Sequence, residues 1–152
     1  MKKYNKVEDF KIKKFVPFLW DKSIYLNLGC GATALSLLTN RNPITIRMEN
    51  KNKEHFSDRF ILKYLKKYNF KILKLNKKKL LDGKDEFLPF EEILSNNVVL
   101  LCCQQLTKNN ATWIVYNDNY MYHNLEIMKQ KNFDLFQFPV LSSYLVTHNR
   151  YE

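Results

Sequence analysis

The stretch "VVLLCCQQL", Val98–Leu106, is the most restrictive feature of this sequence. A nearly continuous apolar run of that length reads as a strand covered on both faces, so the fold needs material packed above and below a sheet. Partners follow at once. "TWIVYNDNYMYHNLEI" reads as two strands around an Asp118-Asn119 turn, a recognised hairpin pair, and "LSSYLVTH" reads as a last strand.

Upstream the pattern is helical. Cys30–Thr39 predicts a short helix with Leu35 and Leu38 inward and Asn40 as its stop. Asn42 followed by Pro43 predicts a capped second helix running to about Asn50. Ser57 caps a third, "SDRFILKYLKKYNF", with Phe60, Ile61, Tyr64, Leu65 and Tyr68 along one face and Asn69 ending it. "FKILKL" then reads as a strand. A charged loop around "LDGKDE" and a helical turn near Pro89 precede the central run, and "FVPFLW" near the start reads as extended. Helices come first and an antiparallel sheet second, so the predicted class is α+β. Residues 1–152 are expected to form a single domain, with 1–19 as a basic lead-in.

Composition bounds the function. The chain is 45 % hydrophobic and carries a net charge of +10, so it is a folded, basic protein. That charge admits nucleic acid, an anionic membrane or an acidic partner. A chain rich in Lys, Asn and Ile and poor in Gly, Ala and Pro also matches an AT-rich coding sequence, which would scatter lysine over the surface. Only Arg41, Arg47, Arg59 and Arg150 could supply the forks that base reading favours, so nucleic acid is the lesser expectation. The three cysteines, Cys30, Cys102 and Cys103, form no disulfide framework, and no spacing of Cys or His suggests a metal. No cofactor is implied. No apolar run reaches membrane-spanning length, and "MKKYNKVEDFKIKK" lacks a signal core, so a reducing cytoplasm is expected, or a host cytoplasm or a virion if the composition is viral or phage-derived.

Cys30 lies between Gly29 and Gly31 at the start of a predicted helix. First-turn N–H groups and the helix dipole lower a thiol pKa and can cradle an oxyanion. Gly29 would let the chain turn, and Gly31 would keep the approach to sulfur clear. "GCGATALSLL" resembles the nucleophile segment of the papain-like cysteine peptidases, specifically the C39-like group. The likeness extends over about residues 20–148. "FILKYLKKYNFKILKL" is similar to that group's helix-then-strand, "NNVVLLCCQQL" to the strand before the catalytic histidine, "TWIVYNDNYMYHN" to the histidine hairpin, and "FDLFQFPVLSSYLVTH" to the closing segment.

The resemblance implies a papain-like fold and a Cys30 nucleophile forming a thioester that water hydrolyses. It also exposes departures. Thr112 occupies the place of the base histidine, the orienting Asp or Asn falls at His123 or Asn124, and only Asn27 stands near the oxyanion glutamine's place. Threonine is no general base. His123 could replace it if the hairpin turn has two residues, for then Asn117 pairs with Tyr120 and His123 shares a face with Thr112 and Ile114, expected to be the face towards Cys30. A three-residue turn would instead put His123 beside Trp113 and bring Asn124 to the thiol. The sequence leaves both registers open.

Two functions therefore stand. One is a C39-like cysteine peptidase or acyl-transfer protein with Cys30 as nucleophile, His123 as base, and Asn124 or Thr112 orienting or polarising. The other is a papain-like domain that has lost catalysis and serves as a structural or protein-binding module. Among the remaining candidates, His55 and His148 read as surface residues, and Cys102 and Cys103 as core. Gln104 and Gln105 read as strand-end residues facing water. Trp113, Tyr116, Tyr120 and Tyr122 read as sheet packing, and the lysines of "LKKYNFKILKLNKKK" as a solvated face.

Overall fold

The computed structural model describes residues 4, 6–25, 28–75, 97–104, 111–129 and 140–152. Within them the chain is mixed helix and antiparallel sheet, as the element order predicts. The helices are α1 (Lys22–Tyr25), α2 (Cys30–Thr39), α3 (Pro43–Glu49) and α4 (Asp58–Lys67). The strands are β1 (Lys71–Leu75), β2 (Val98–Gln104), β3 (Ala111–Asn117), β4 (Tyr120–His123), β5 (Glu126–Lys129) and β6 (Val140–Thr147). They form one six-stranded sheet in the order β1-β6-β2-β3-β4-β5. Every neighbouring pair is antiparallel.

The helix boundaries follow their signals. Asn40 stops α2 in the left-handed region, at φ 62°. Asn42 caps α3 through its side chain, which accepts the Ile44 N–H at 2.8 Å, with Pro43 at the first turn. The Ser57 side chain accepts the Phe60 N–H at 3.2 Å to start α4, and Asn69 follows the helix at φ 69°. α2 departs from expectation in one respect: Gly31 through Leu38 are all buried, so it has no outer side. Its uncharged sequence of small, hydroxyl and leucine residues suits a central helix.

β2 is covered on both faces, as its composition requires. Val98, Leu100 and Cys102 join Trp113, Val115, Tyr144 and Val146 in the core beneath α2 and α4. Val99, Leu101 and Cys103 join Ile114, Tyr116, Met121 and Leu145 on the reverse face. A 3-10 turn, Val7–Phe10, seals that reverse face with both end residues buried. The lead-in then crosses to the helical side. The Lys13 and Lys14 N–H groups donate to the Tyr151 carbonyl at 3.0 and 3.2 Å, and the Phe18 N–H donates to Leu37 at 2.9 Å.

Besides that 3-10 turn, α1 and β5 lay beyond the sequence patterns. α1 follows the lead-in, started by Asp21, whose carboxylate accepts the Ser23 N–H at 2.9 Å and its hydroxyl at 2.7 Å. β5 arises because the segment after Tyr120 turns again: Asn124 and Leu125, at φ 50° and 68°, make a second tight turn that pairs His123 with Glu126. The charged loop near "LDGKDE", the turn near Pro89, the "FDLFQF" part of the closing segment, Asn27 and Gln105 fall outside the described residues.

Candidate functional site

The hairpin decides what surrounds Cys30. Asn117 pairs with Tyr120, and Asp118 and Asn119 form a two-residue turn at φ 44° and 68°. Both positive angles are what an inward-twisting hairpin turn demands, and Asp-Asn tolerates them. In such a hairpin the closing pair exchanges both hydrogen bonds, and every second residue turns its N–H to the same side. Trp113 is one of those residues, but the β3–β4 ladder ends at Val115–Tyr122. Its N–H therefore emerges beyond the ladder, where Cys30 Sγ accepts it at 3.2 Å.

Cys30 itself opens α2 after Gly29, whose φ of 94° is open to glycine and strained for any other residue. No side chain caps the helix. Thr33 Oγ1 closes the first turn from inside by donating towards the Gly29 and Cys30 carbonyls, both at 3.1 Å. Gly31 has a packing reason besides the expected one. A Cβ there would stand 2.5 Å from Phe56 Cγ, so the glycine makes room for a buried ring under the helix.

His123 follows the two-residue register and shares a face with Thr112. Thr112 Oγ1 lies 2.7 Å from His123 Nε2, and Asn124 Nδ2 lies 3.4 Å from the same nitrogen. The expected direction of that face needs correction. Alternation groups Thr112 and His123 with Ile114 and Met121, which belong to the reverse-face core, whereas Trp113 turns to the core beneath α2. The imidazole is thus bonded to Thr112 and Asn124, and no hydrogen bond joins it to Cys30 among the described residues. Burial holds the imidazole below its usual pKa, against a smaller upward pull from Glu126. Glu126 is in turn paired with Lys22, which ties α1 to β5 beside the histidine.

On the helical side a second polar group lies close by. Cys102 stands directly across from Trp113 on β2 and faces the α2 core. Burial, with the Asp58 charge and against a hydrogen bond from Ser142, pushes its thiol up to about 11, so it is a poor nucleophile at neutral pH. Asp58, the first residue of α4, accepts the Ser142 and Tyr144 hydroxyls at 2.7 and 2.6 Å. This cluster was not legible in the sequence, because its members come from three distant segments. Cys103 faces the reverse core, so the two adjacent cysteines divide between the faces as expected of a strand.

His55 is exposed. His148 is half-buried instead of fully exposed: it lies against Phe70, with ring centroids 4.9 Å apart, and its Nδ1 accepts the Arg150 N–H at 3.3 Å. Trp113 is a core residue whose Nε1–H donates to the Phe56 carbonyl at 2.9 Å. Among the described residues, no group of three or more His, Cys, Asp or Glu is placed to hold a metal, and no helix is long and apolar enough to cross a membrane. No protein-family model and no curated protein sequence matches this chain.

Proposed function

We propose that this chain is a papain-like, C39-like domain whose catalysis has lapsed and which serves as a protein-binding module. The observation that carries the reading is the 2.7 Å contact between His123 Nε2 and Thr112 Oγ1, with Cys30 bonded elsewhere, to the Trp113 N–H. A cysteine nucleophile needs an imidazole to take its proton and then protonate the leaving amine. Here the residue at the base position is a threonine, and the displaced histidine bonds to it. General acid–base help is worth roughly 10² to 10⁴ in rate, which this arrangement forgoes. The thiol, the helix start and the hairpin would remain as a frame for an extended peptide.

One observation favours the peptidase reading instead. The Trp113 N–H meets Cys30 Sγ at 3.2 Å beside the uncapped start of α2, where first-turn N–H groups could cradle an oxyanion. The rate of Cys30 alkylation by iodoacetamide separates the two. It is measured between about pH 5 and 9 with Cys102 and Cys103 replaced by Ala, with and without His123→Ala. For the lapsed domain, reactivity falls with pH as for a thiol titrating near 8.5, and His123→Ala leaves the curve in place. Fast alkylation well below pH 7 that His123→Ala abolishes would establish a thiolate–imidazolium pair and restore the peptidase.

A further inference from the structure

The lysines are not scattered evenly. α4 and β1 together carry Arg59, Lys63, Lys66, Lys67, Lys71 and Lys74, and their only acidic residue is Asp58. Asp58 is occupied by the Ser142 and Tyr144 hydroxyls. On α4 the buried side chains are Ile61, Tyr64 and Leu65, and the opposite side carries Arg59, Lys63, Lys66 and Lys67, all exposed. Their spacing of four, three and one places them within one third of the helix circumference. Among the described residues none of these four is in an ion pair; Lys67 only leans on the Tyr68 ring, at 5.6 Å.

We propose that the outer face of α4 is a sequence-independent docking surface for the phosphate backbone of a nucleic acid, contacted by Arg59, Lys63, Lys66 and Lys67.

The occupant follows from what the stripe contains and lacks. Eight residues of helix rise about 12 Å, while phosphates recur about every 3.4 Å along each strand, so four cations span about four phosphates. A membrane-binding helix would present large apolar side chains beside its cations. Among the described residues the exposed large apolar side chains are Leu19, Ile24, Ile44, Met48, Tyr120, Ile127 and Leu141, none of them on α4, and Phe60 and Leu62, which flank the stripe, are partly buried against the core. A protein partner would be expected to find an aromatic or aliphatic anchor at the centre of the patch, and none is there. With a single arginine, the stripe has little means of reading bases but every means of holding phosphates. This surface is separate from Cys30 and stands or falls independently of the reading of the thiol.

The test is fluorescence anisotropy of a short labelled DNA duplex across about 50 to 200 mM salt. Three full-length chains are compared: the unaltered protein, an α4 variant (Arg59→Gln, Lys63→Gln, Lys66→Gln, Lys67→Gln), and a control of equal net charge (Lys11→Gln, Lys13→Gln, Lys14→Gln, Lys53→Gln). Four phosphate contacts give a log–log salt slope of about −3 to −4, or roughly a hundredfold loss over that range. The α4 variant should lose at least about tenfold in affinity at low salt and most of that slope, while the control keeps both. Lys63→Gln alone should flatten the slope by about one, a readout that survives if the fourfold variant folds poorly. Equal losses in the α4 variant and the control would reduce the effect to diffuse net charge and overturn the proposal. So would no binding by the unaltered protein at the lowest salt, or retention on phosphatidylserine vesicles without retention on the duplex.

Discussion

At Gly31 the space a side chain would need is already filled by Phe56, whose Cβ and Cγ would lie 2.6 and 2.5 Å from an added Cβ. Phe56 is itself 2 % exposed and its carbonyl accepts the Trp113 indole, so it cannot retreat without disturbing the core. Gly31→Ala is therefore expected to destabilise by about 1–3 kcal/mol despite adding helix propensity, and a chemical-denaturation midpoint would show it. Unchanged or increased stability would mean that the glycine is kept for access to the thiol. His123 supplies a second residue-scale expectation. Burial depresses its pKa in the fold, and burial together with the Arg150 charge does the same for His148. A depressed imidazole contributes stability fully above its unfolded pKa, about 6.5, and that contribution is lost as pH falls through the folded value. Stability measured in urea should thus decline from about pH 7 to 5, and His123→Gln should shrink the decline; an identical decline in the variant would show that His123 is not held neutral in the fold.

Element boundaries were legible wherever a cap or turn residue acts locally. Asn40, Asn42-Pro43, Ser57 and Asn69 each act on backbone groups within a few residues, and the helices begin and end beside them. The second hairpin was not legible, because Asn124-Leu125 is a poor turn signal: leucine rarely accepts a φ of 68°. That missed turn changes the reading of the site, since Asn124 belongs to a turn beside His123 instead of ending a strand opposite Cys30. The face of His123 was also beyond reach, because register fixes which residues share a face but not which face meets α2. The join between α4 and β6 was the third gap, and it carries its own expectation. Asp58 draws the Ser142 and Tyr144 hydroxyls together, and burial with the Asp58 charge holds Tyr144 up at about 12. Asp58→Ala strands both hydroxyls and should cost about 2–3 kcal/mol. Adding Tyr144→Phe to it should recover part of that loss in a double-mutant cycle; strictly additive losses would mean the two residues are not coupled.

For the whole molecule, the lead-in acts as a clasp that joins the two sides of the sheet. Phe10 is fully buried in the reverse-face core with Val99, Leu101, Cys103 and Leu145, and Tyr4 packs on it edge-on at 5.7 Å. A few residues later the same segment is bonded to Tyr151 and then to Leu37 of α2. A sheet hydrophobic on both faces needs both covered, and among the described residues the helices pack on one face and the 3-10 turn on the other. Phe10→Ala should then cost about 3–5 kcal/mol, a large share of the roughly 5–15 kcal/mol that holds a domain together. The loss should also be local to one face. Cys103, on the uncovered side, should become reactive to iodoacetamide before Cys102, which stays beneath α2 and α4. Mass spectrometry of the labelled peptide distinguishes the adjacent thiols by fragmentation. Preferential labelling of Cys103 with a lowered denaturation midpoint is the expected pair of results. Equal labelling of both cysteines would mean that the two cores melt as one, and that the clasp stabilises the whole sheet without shielding a face of its own.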